Sequence, residues 1–278
     1  MELLYGKPVA EKILSVTKER IKQSGITPGL AVILVGDDIP SHKYVELKKE
    51  AALGLGIYFE KHFFPERASS QDIFDRIEEL NHREDIHGII VQLPLPSGFP
   101  TDEIILRIDP LKDTDGFHPE TIKQFLAGEK GACPVFPRAL MALLNETKQE
   151  LHGEMGLVIT NSELMGQVLS QALRLDGLES NYLFSSVAKE ALILEAKKAR
   201  VIVTACGILK LITGEMVRED AIILDGGMVY INGRVAGDVD RESVETKAAF
   251  LSPVPGGVGP VTVATLLARV TDAAMKKV

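Results

Sequence analysis

The sequence predicts an α/β protein of two domains, the second a Rossmann-like, doubly wound parallel sheet. Three observations carry this. Short unbroken apolar runs recur, such as Leu30–Val35, Gly156–Thr160 and Ala221–Leu224, and they read as strands buried on both faces. Segments of helical period separate them, and strand–helix alternation favours parallel pairing with right-handed crossovers. The length, 278 residues, suits two modest domains better than one.

In order, Lys7–Ser24 reads as an amphipathic helix stopped by Gly25. Leu30–Val35 is a strand ended by Gly36. Pro40–Leu55 is a helix with Ser41 as its N-cap. Tyr44, Leu47, Lys48, Ala51, Ala52 and Leu55 share one face of that helix, so a lysine sits on an otherwise apolar stripe. A lysine on the buried side must be paired or titrate to neutral, which suits proton transfer. Taken alone, the stretch favours the plainer alternative, a lysine laying its stem along the core edge.

Ile57–Phe64 is the next strand, Ser69–Asn81 a helix with Ile73, Phe74, Ile77 and Leu80 inward, and Gly88–Leu93 a third strand. Ligands of such sheets bind beyond the carboxyl ends of the strands. The loops there are Gly36–Ser41, the segment from Gln92 to Pro96, and Lys112–Pro119, which follows a helix over Asp102–Ile108. Asp113 and Asp115 before a glycine say only "turn" when read in isolation. Pro119–Lys130 connects to a helix over Pro137–Leu144.

A second alternating unit follows: strand Gly156–Thr160, a turn Asn161–Gly166 into a helix to about Leu173, a weak strand Tyr182–Phe184, a helix Val187–Lys197, and strands Arg200–Thr204 and Ala221–Leu224. Its first turn keeps only Gly166 of the glycines that bring backbone to a pyrophosphate, and Glu163 adds a negative charge. By itself this half is a Rossmann-like unit with a weak cofactor site. Ser252–Thr262 packs three prolines and three glycines into eleven residues, a rigid loop or an interdomain hinge, before a closing helix Val261–Met275.

The composition is 45% hydrophobic and 25% charged, and the net charge of −8 argues against nucleic-acid or anionic-membrane partners. Cys133 and Cys206 make neither a disulfide framework nor a metal cluster. The N-terminal residues lack a charged leader followed by an apolar core, and no apolar run approaches the ~20 residues that span a bilayer. A cytoplasmic location is expected.

Together, five segments resemble the methylenetetrahydrofolate dehydrogenase/methenyltetrahydrofolate cyclohydrolase family: Ser41-x-x-Tyr44-Val45-x-x-Lys48, Val91–Pro96, Lys112–Pro119 with Thr114 for the family's valine, Gly237-Asp238-Val239, and Pro253–Pro260 followed by Thr262. The resemblance covers nearly the whole chain. It implies a folate cleft between a domain of residues 1–119 plus the helix 260–278 and a dinucleotide-binding domain of residues 120–259. It implies that Lys48 transfers the proton, Gln92 supports it, Tyr44 lines the pteridine pocket and Asp115 binds the pterin. Ser41, Leu93, Pro94, Pro253, Gly256 and Gly257 would complete the substrate site. Asn161, Ser162, Gly166, Ala205 and Gly207 would bind NADP or NAD, with no metal. A homodimer through the second domain is also implied.

The departures lie on the cofactor side. Asn161 stands where the family's G-R-S turn has arginine; Pro134–Ala139, Phe184–Lys189 and Asp225–Val229 also depart from the usual P-C-T-P-x-G, C-H-S-x-T and D-V-G-I-N. An amide does not replace a bidentate cation on a 2′-phosphate. The residues therefore support the cyclohydrolase step more strongly than the dehydrogenase step. A catalytically silent or cyclohydrolase-only paralogue without NADP binding is the alternative.

Overall fold

A computed structural model describes residues 1–231 and 233–276. The chain opens with β1 (Glu2–Leu3) and α1 (Gly6–Ser24), then runs β2 (Gly29–Val35), α2 (Ile39–Leu55), β3 (Tyr58–Phe64), α3 (Ser70–His82), β4 (Gly88–Val91), α4 (Thr101–Leu106) and α5 (Pro119–Leu126). The second half runs α6 (Val135–Glu146), β5 (Met155–Thr160), α7 (Glu163–Leu175), β6 (Glu179–Phe184), α8 (Lys189–Ala196), β7 (Val201–Ala205), β8 (Ile222–Asp225), β9 (Val229–Ile231), β10 (Arg234–Ala236), α9 (Arg241–Val244), β11 (Phe250–Ser252) and α10 (Val258–Lys276). Two compact units result. The first holds Glu11–Gln124 and the chain from Val263 onward; the second holds Met1–Ala10 and Phe125–Thr262.

The first unit is built on a parallel sheet of order β3-β2-β4. Every residue of β2 is buried, as its unbroken apolar run requires. Ile73, Ile77 and Leu80 of α3 pack with Ile33 of β2 and Ile89 of β4. Ser69 starts α3 through a capping box with Asp72. The closing helix contributes an Arg20–Asp272 ion pair of 2.7 Å.

The second unit holds six parallel strands in the order β1-β11-β8-β7-β5-β6, with an antiparallel β9–β10 hairpin beside them. Two α/β units with parallel sheets are the predicted class. The expected boundaries shift at three places. Met1–Ala10 clusters with the second unit because Glu2–Leu3 pairs with Phe250–Leu251 and the Gly6 N–H donates to the Gly256 carbonyl at 2.8 Å. The other divisions fall after Gln124 and Thr262 rather than at 119 and 259. β1, β11 and the hairpin strands, of two or three residues each, are too short to show a period.

Among the described residues no helix is long and apolar enough to cross a membrane, and no His/Cys/Asp/Glu group is arranged to hold a metal ion.

Candidate functional site

In the first sheet, β2 is flanked by β3 on one side and β4 on the other, so the crevice beyond the carboxyl ends of β2 and β4 is its topological switch point. Gly36 and Gln92 stand there. Gly36 has φ 77°, and a Cβ on it would lie 2.9 Å from Pro96 Cγ, so glycine lets the loop after β2 pack on the proline loop after β4. The Leu93–Pro94 bond in that loop is cis.

Helix α2 starts one residue earlier than expected and is capped by Asp38, not Ser41. Asp38 Oδ2 accepts from the Ser41 N–H at 2.9 Å, which leaves Ser41 buried in the first turn. The buried stripe is Ser41, Val45, Lys48, Ala52 and Leu55. Leu47, expected inward, is 54% exposed and Tyr44 is half-buried. The helix axis is thus rotated toward Val45, yet Lys48 stays at the centre of the inward face.

Lys48 is 6% exposed. Its Nζ donates to Gln92 Oε1 at 2.8 Å and lies 4.7 Å from the centroid of the Tyr44 ring. Gln92 Nε2 donates in turn to the Leu93 carbonyl at 2.7 Å, which fixes the amide with its oxygen toward the lysine. Burial pulls the Lys48 ammonium down to about 8, and Asp115 opposes that pull. Asp115 is half-buried, and burial pushes its carboxyl up, with Asp113 adding to this and Lys48 and Arg269 pulling it back. Lys48, Tyr44, Gln92 and Asp115 are therefore one electrostatic group. Gln92→Glu would place a carboxylate at 2.8 Å from the amine; the expected result is a pH–rate profile displaced upward by about one to two units. An unmoved profile in a folded variant would remove Gln92 from control of Lys48.

The Lys112–Pro119 loop splits into structural and site-facing residues. Lys112, buried, donates to the Leu80 carbonyl at 2.8 Å and the Arg83 carbonyl at 2.6 Å, so it satisfies the end of α3. Asp113 accepts from the Gly116 N–H, the His118 N–H and Thr121 Oγ1, each at 2.9 Å, and thereby shapes the entry to α5. Lys112→Met takes the amine donor from the Leu80 and Arg83 carbonyls, of which the Leu80 carbonyl keeps the Arg83 N–H at 3.3 Å; we expect urea unfolding to show a loss of about 1–3 kcal/mol. Sequence reading took these two residues as motif markers, and no local pattern could assign their inward roles.

The second unit has its own switch point, between β5 and β7, where α7 opens with Ser162 as N-cap. Asn161 is exposed, and its Nδ2 donates to the Cys206 carbonyl at 2.9 Å, linking the ends of the two strands. Gly207 has φ 67° just beyond Ala205 and Cys206. Gly166, expected in the turn, is inside α7, where a Cβ would strike the Tyr182 ring; its role there is close packing of α7 on β6. Pro253, Gly256 and Gly257 also lie in this unit. The Gly257 N–H donates to the Pro253 carbonyl at 2.6 Å, and the loop is docked on Gly6. Sequence reading missed the Asp225 carboxylate. It accepts from the Gly227 N–H at 3.0 Å and the Asp238 and Val239 N–H groups at 3.1 Å, and burial pushes it up to about 7.

Two family models meet this geometry. The tetrahydrofolate dehydrogenase/cyclohydrolase catalytic domain matches residues 4–115, and the NAD(P)-binding domain of the same family matches residues 134–278. The chain belongs to that family. It is 39% identical to the bifunctional protein FolD of Bacillus licheniformis over 99% of this chain and 97% of the relative. The crystal structure of the Campylobacter jejuni bifunctional FolD dehydrogenase/cyclohydrolase aligns with TM-score 0.93 at 36% identity over 100% of both chains. The Trypanosoma brucei FolD, solved with NADP and an inhibitor, aligns with TM-score 0.93 at 28% identity over 99% and 97%. Membership makes the chain an enzyme of folate one-carbon metabolism in a dehydrogenase/cyclohydrolase family, with a nicotinamide-dinucleotide domain.

Proposed function

We propose that the protein oxidises methylenetetrahydrofolate to the methenyl form and hydrolyses that to formyltetrahydrofolate, with Lys48 carrying the proton of the second step. The observation that carries the reading is the buried Lys48 amine held 2.8 Å from Gln92 Oε1. Near pH 8 a large share of this amine is neutral. It takes a proton as water attacks the amidinium-like carbon: a C–O bond forms, the proton passes to Nζ, and Lys48 returns it to the ring nitrogen as the C–N bond breaks. Gln92 Oε1 and the Tyr44 face stabilise the ammonium that forms between these transfers. An ionised Asp115 offers only acceptors, which suits the donor-rich edge of a pterin. Ser41, Leu93 and Pro94 are assigned to further substrate contacts in the first unit.

The second unit fits a dinucleotide through the α7 N-terminus and the Gly207 turn, flanked by Asn161, Ser162 and Ala205. It does not fit a 2′-phosphate. The turns after β5 and β6 offer Asn161, Ser162, Ser185 and Ser186; Lys189, which opens α8 after them, is paired with Glu215 Oε1 at 2.6 Å, and exposed Glu163 adds an anion. Acceptance of a hydride is the chemistry a bound dinucleotide supplies. NAD is therefore favoured over NADP, and a cyclohydrolase-only enzyme is the second reading. A cytoplasmic homodimer completes the proposal.

The test is direct. Methenyltetrahydrofolate loses its near-ultraviolet absorbance on hydrolysis, and purified protein should accelerate that loss. A rate equal to buffer would end the reading.

A further inference from the structure

Asp238 is fully buried in the second unit, where its carboxylate accepts from one hydroxyl and two backbone amides. Its carboxylate gathers the end of β7 and the turn beyond it. Oδ2 accepts from Thr204 Oγ1 at 2.6 Å and the Cys206 N–H at 2.8 Å, and Oδ1 accepts from the Ile208 N–H at 2.7 Å. Asp225, at the end of β8, holds the Asp238 and Val239 N–H groups and so anchors the base of the β9–β10 hairpin. The fit is close: a Cβ on Gly227 would strike the Asp238 carboxylate, and one on Gly237 the Asp225 carboxylate.

What the turn shows outward follows. The donors of Cys206 and Ile208 are spent inward on Asp238, and the Cys206 carbonyl is spent on Asn161. The turn is left to present the Gly207 backbone and the side chains of Ile208 and Leu209, 41% and 45% exposed. Apolar side chains beside a glycine, at the carboxyl end of a switch-point strand, make a platform for the flat face of a heteroaromatic ring. We propose that Asp238 is a positioning residue for the dinucleotide, acting by holding the Cys206–Ile208 turn in the shape that receives one of its rings. This rests on the dinucleotide-dependent reading above.

Two buried carboxylates cost more than neutral side chains would at the same places. Here they accept six hydrogen bonds that a single amide could not, because an amide presents a donor where each carboxylate has an acceptor.

Asp238→Asn turns one acceptor into a donor facing an N–H. Calorimetric titration with NAD and with NADP should show binding weakened about tenfold or more. KM for the dinucleotide should rise in step, with kcat at saturation changed by less than about threefold. In the unliganded variant, the Cys206 and Ile208 amides should exchange faster. Thr204→Val, which removes one hydroxyl and keeps the shape, should move Kd in the same direction by less. Dinucleotide Kd and KM within about twofold of wild type in folded Asp238→Asn overturn the proposal, as does an unchanged Kd in Thr204→Val where Asp238→Asn does not fold. Wild-type protein that binds neither dinucleotide overturns the dinucleotide reading itself, and the proposal with it.

Discussion

Lys48→Met abolishes methenyltetrahydrofolate hydrolysis: the expected loss is about two to four orders of magnitude, the range that a positioned acid–base group supplies. Methionine keeps the unbranched stem along Val45 and Ala52 but has no proton to move. The loss should appear in a variant that stays folded, since relief of the amine's desolvation opposes the cost of leaving Gln92 Oε1 without its donor. Absorbance decay with and without the variant, beside a circular-dichroism melt, checks both halves. In wild-type protein the rate should climb with pH and level off above about 8. The sign follows from burial, which lowers the ammonium's proton affinity, so the base form gains population as pH passes that value. Lys48→Met that still hydrolyses substrate at more than a tenth of the wild-type rate would take Lys48 out of the mechanism.

On the proposed preference for NAD, Asn161→Arg should bring tighter NADP binding. A guanidinium at the exposed end of β5 would supply a charge-assisted contact to a 2′-phosphate that Asn161 does not. Such bonds are worth about 1.5–3 kcal/mol, or roughly ten- to a hundredfold in Kd. NAD affinity should change less than NADP affinity, because NAD lacks the 2′-phosphate; loss of the Asn161–Cys206 bond sets the size of that smaller change. Titration of both dinucleotides against both proteins decides this. Wild-type protein that binds NADP at least about tenfold more tightly than NAD would show that some other group receives the phosphate.

The first unit was the more legible. Leu30–Val35 is apolar at every position because β2 is buried on both faces, and Ser69 with Asp72 announces α3. Lys48 was visible as an oddity, and its meaning came from Gln92 and Asp115, distant in sequence but brought to one sheet edge. The phase of α2 differs from the sequence pattern by part of a turn. Leu47 and Ala51 extend an apolar stripe as well as Val45 does, and only packing against the sheet chooses between them. Ser41, equally suited by type and three residues on, masks Asp38 as the cap in the sequence. The second unit hid more. Its short strands carry no period, and Asp225 and Asp238 stand thirteen residues apart with nothing local to join them. In sequence Gly166 resembles a phosphate-turn glycine; the Tyr182 ring against it makes it a packing glycine.

The division of labour inside Lys112–Pro119 bears on how variation in this protein would present itself. Positions 112 and 113 face carbonyls and amides of the first unit's own frame, whereas Asp115 faces Lys48. In a pooled mutational survey, alleles at Lys112 or Asp113 would register as low cellular abundance. Alleles at Asp115 would leave abundance intact and register only where growth depends on the one-carbon supply. Three neighbouring codons would thus fall into two phenotypic classes.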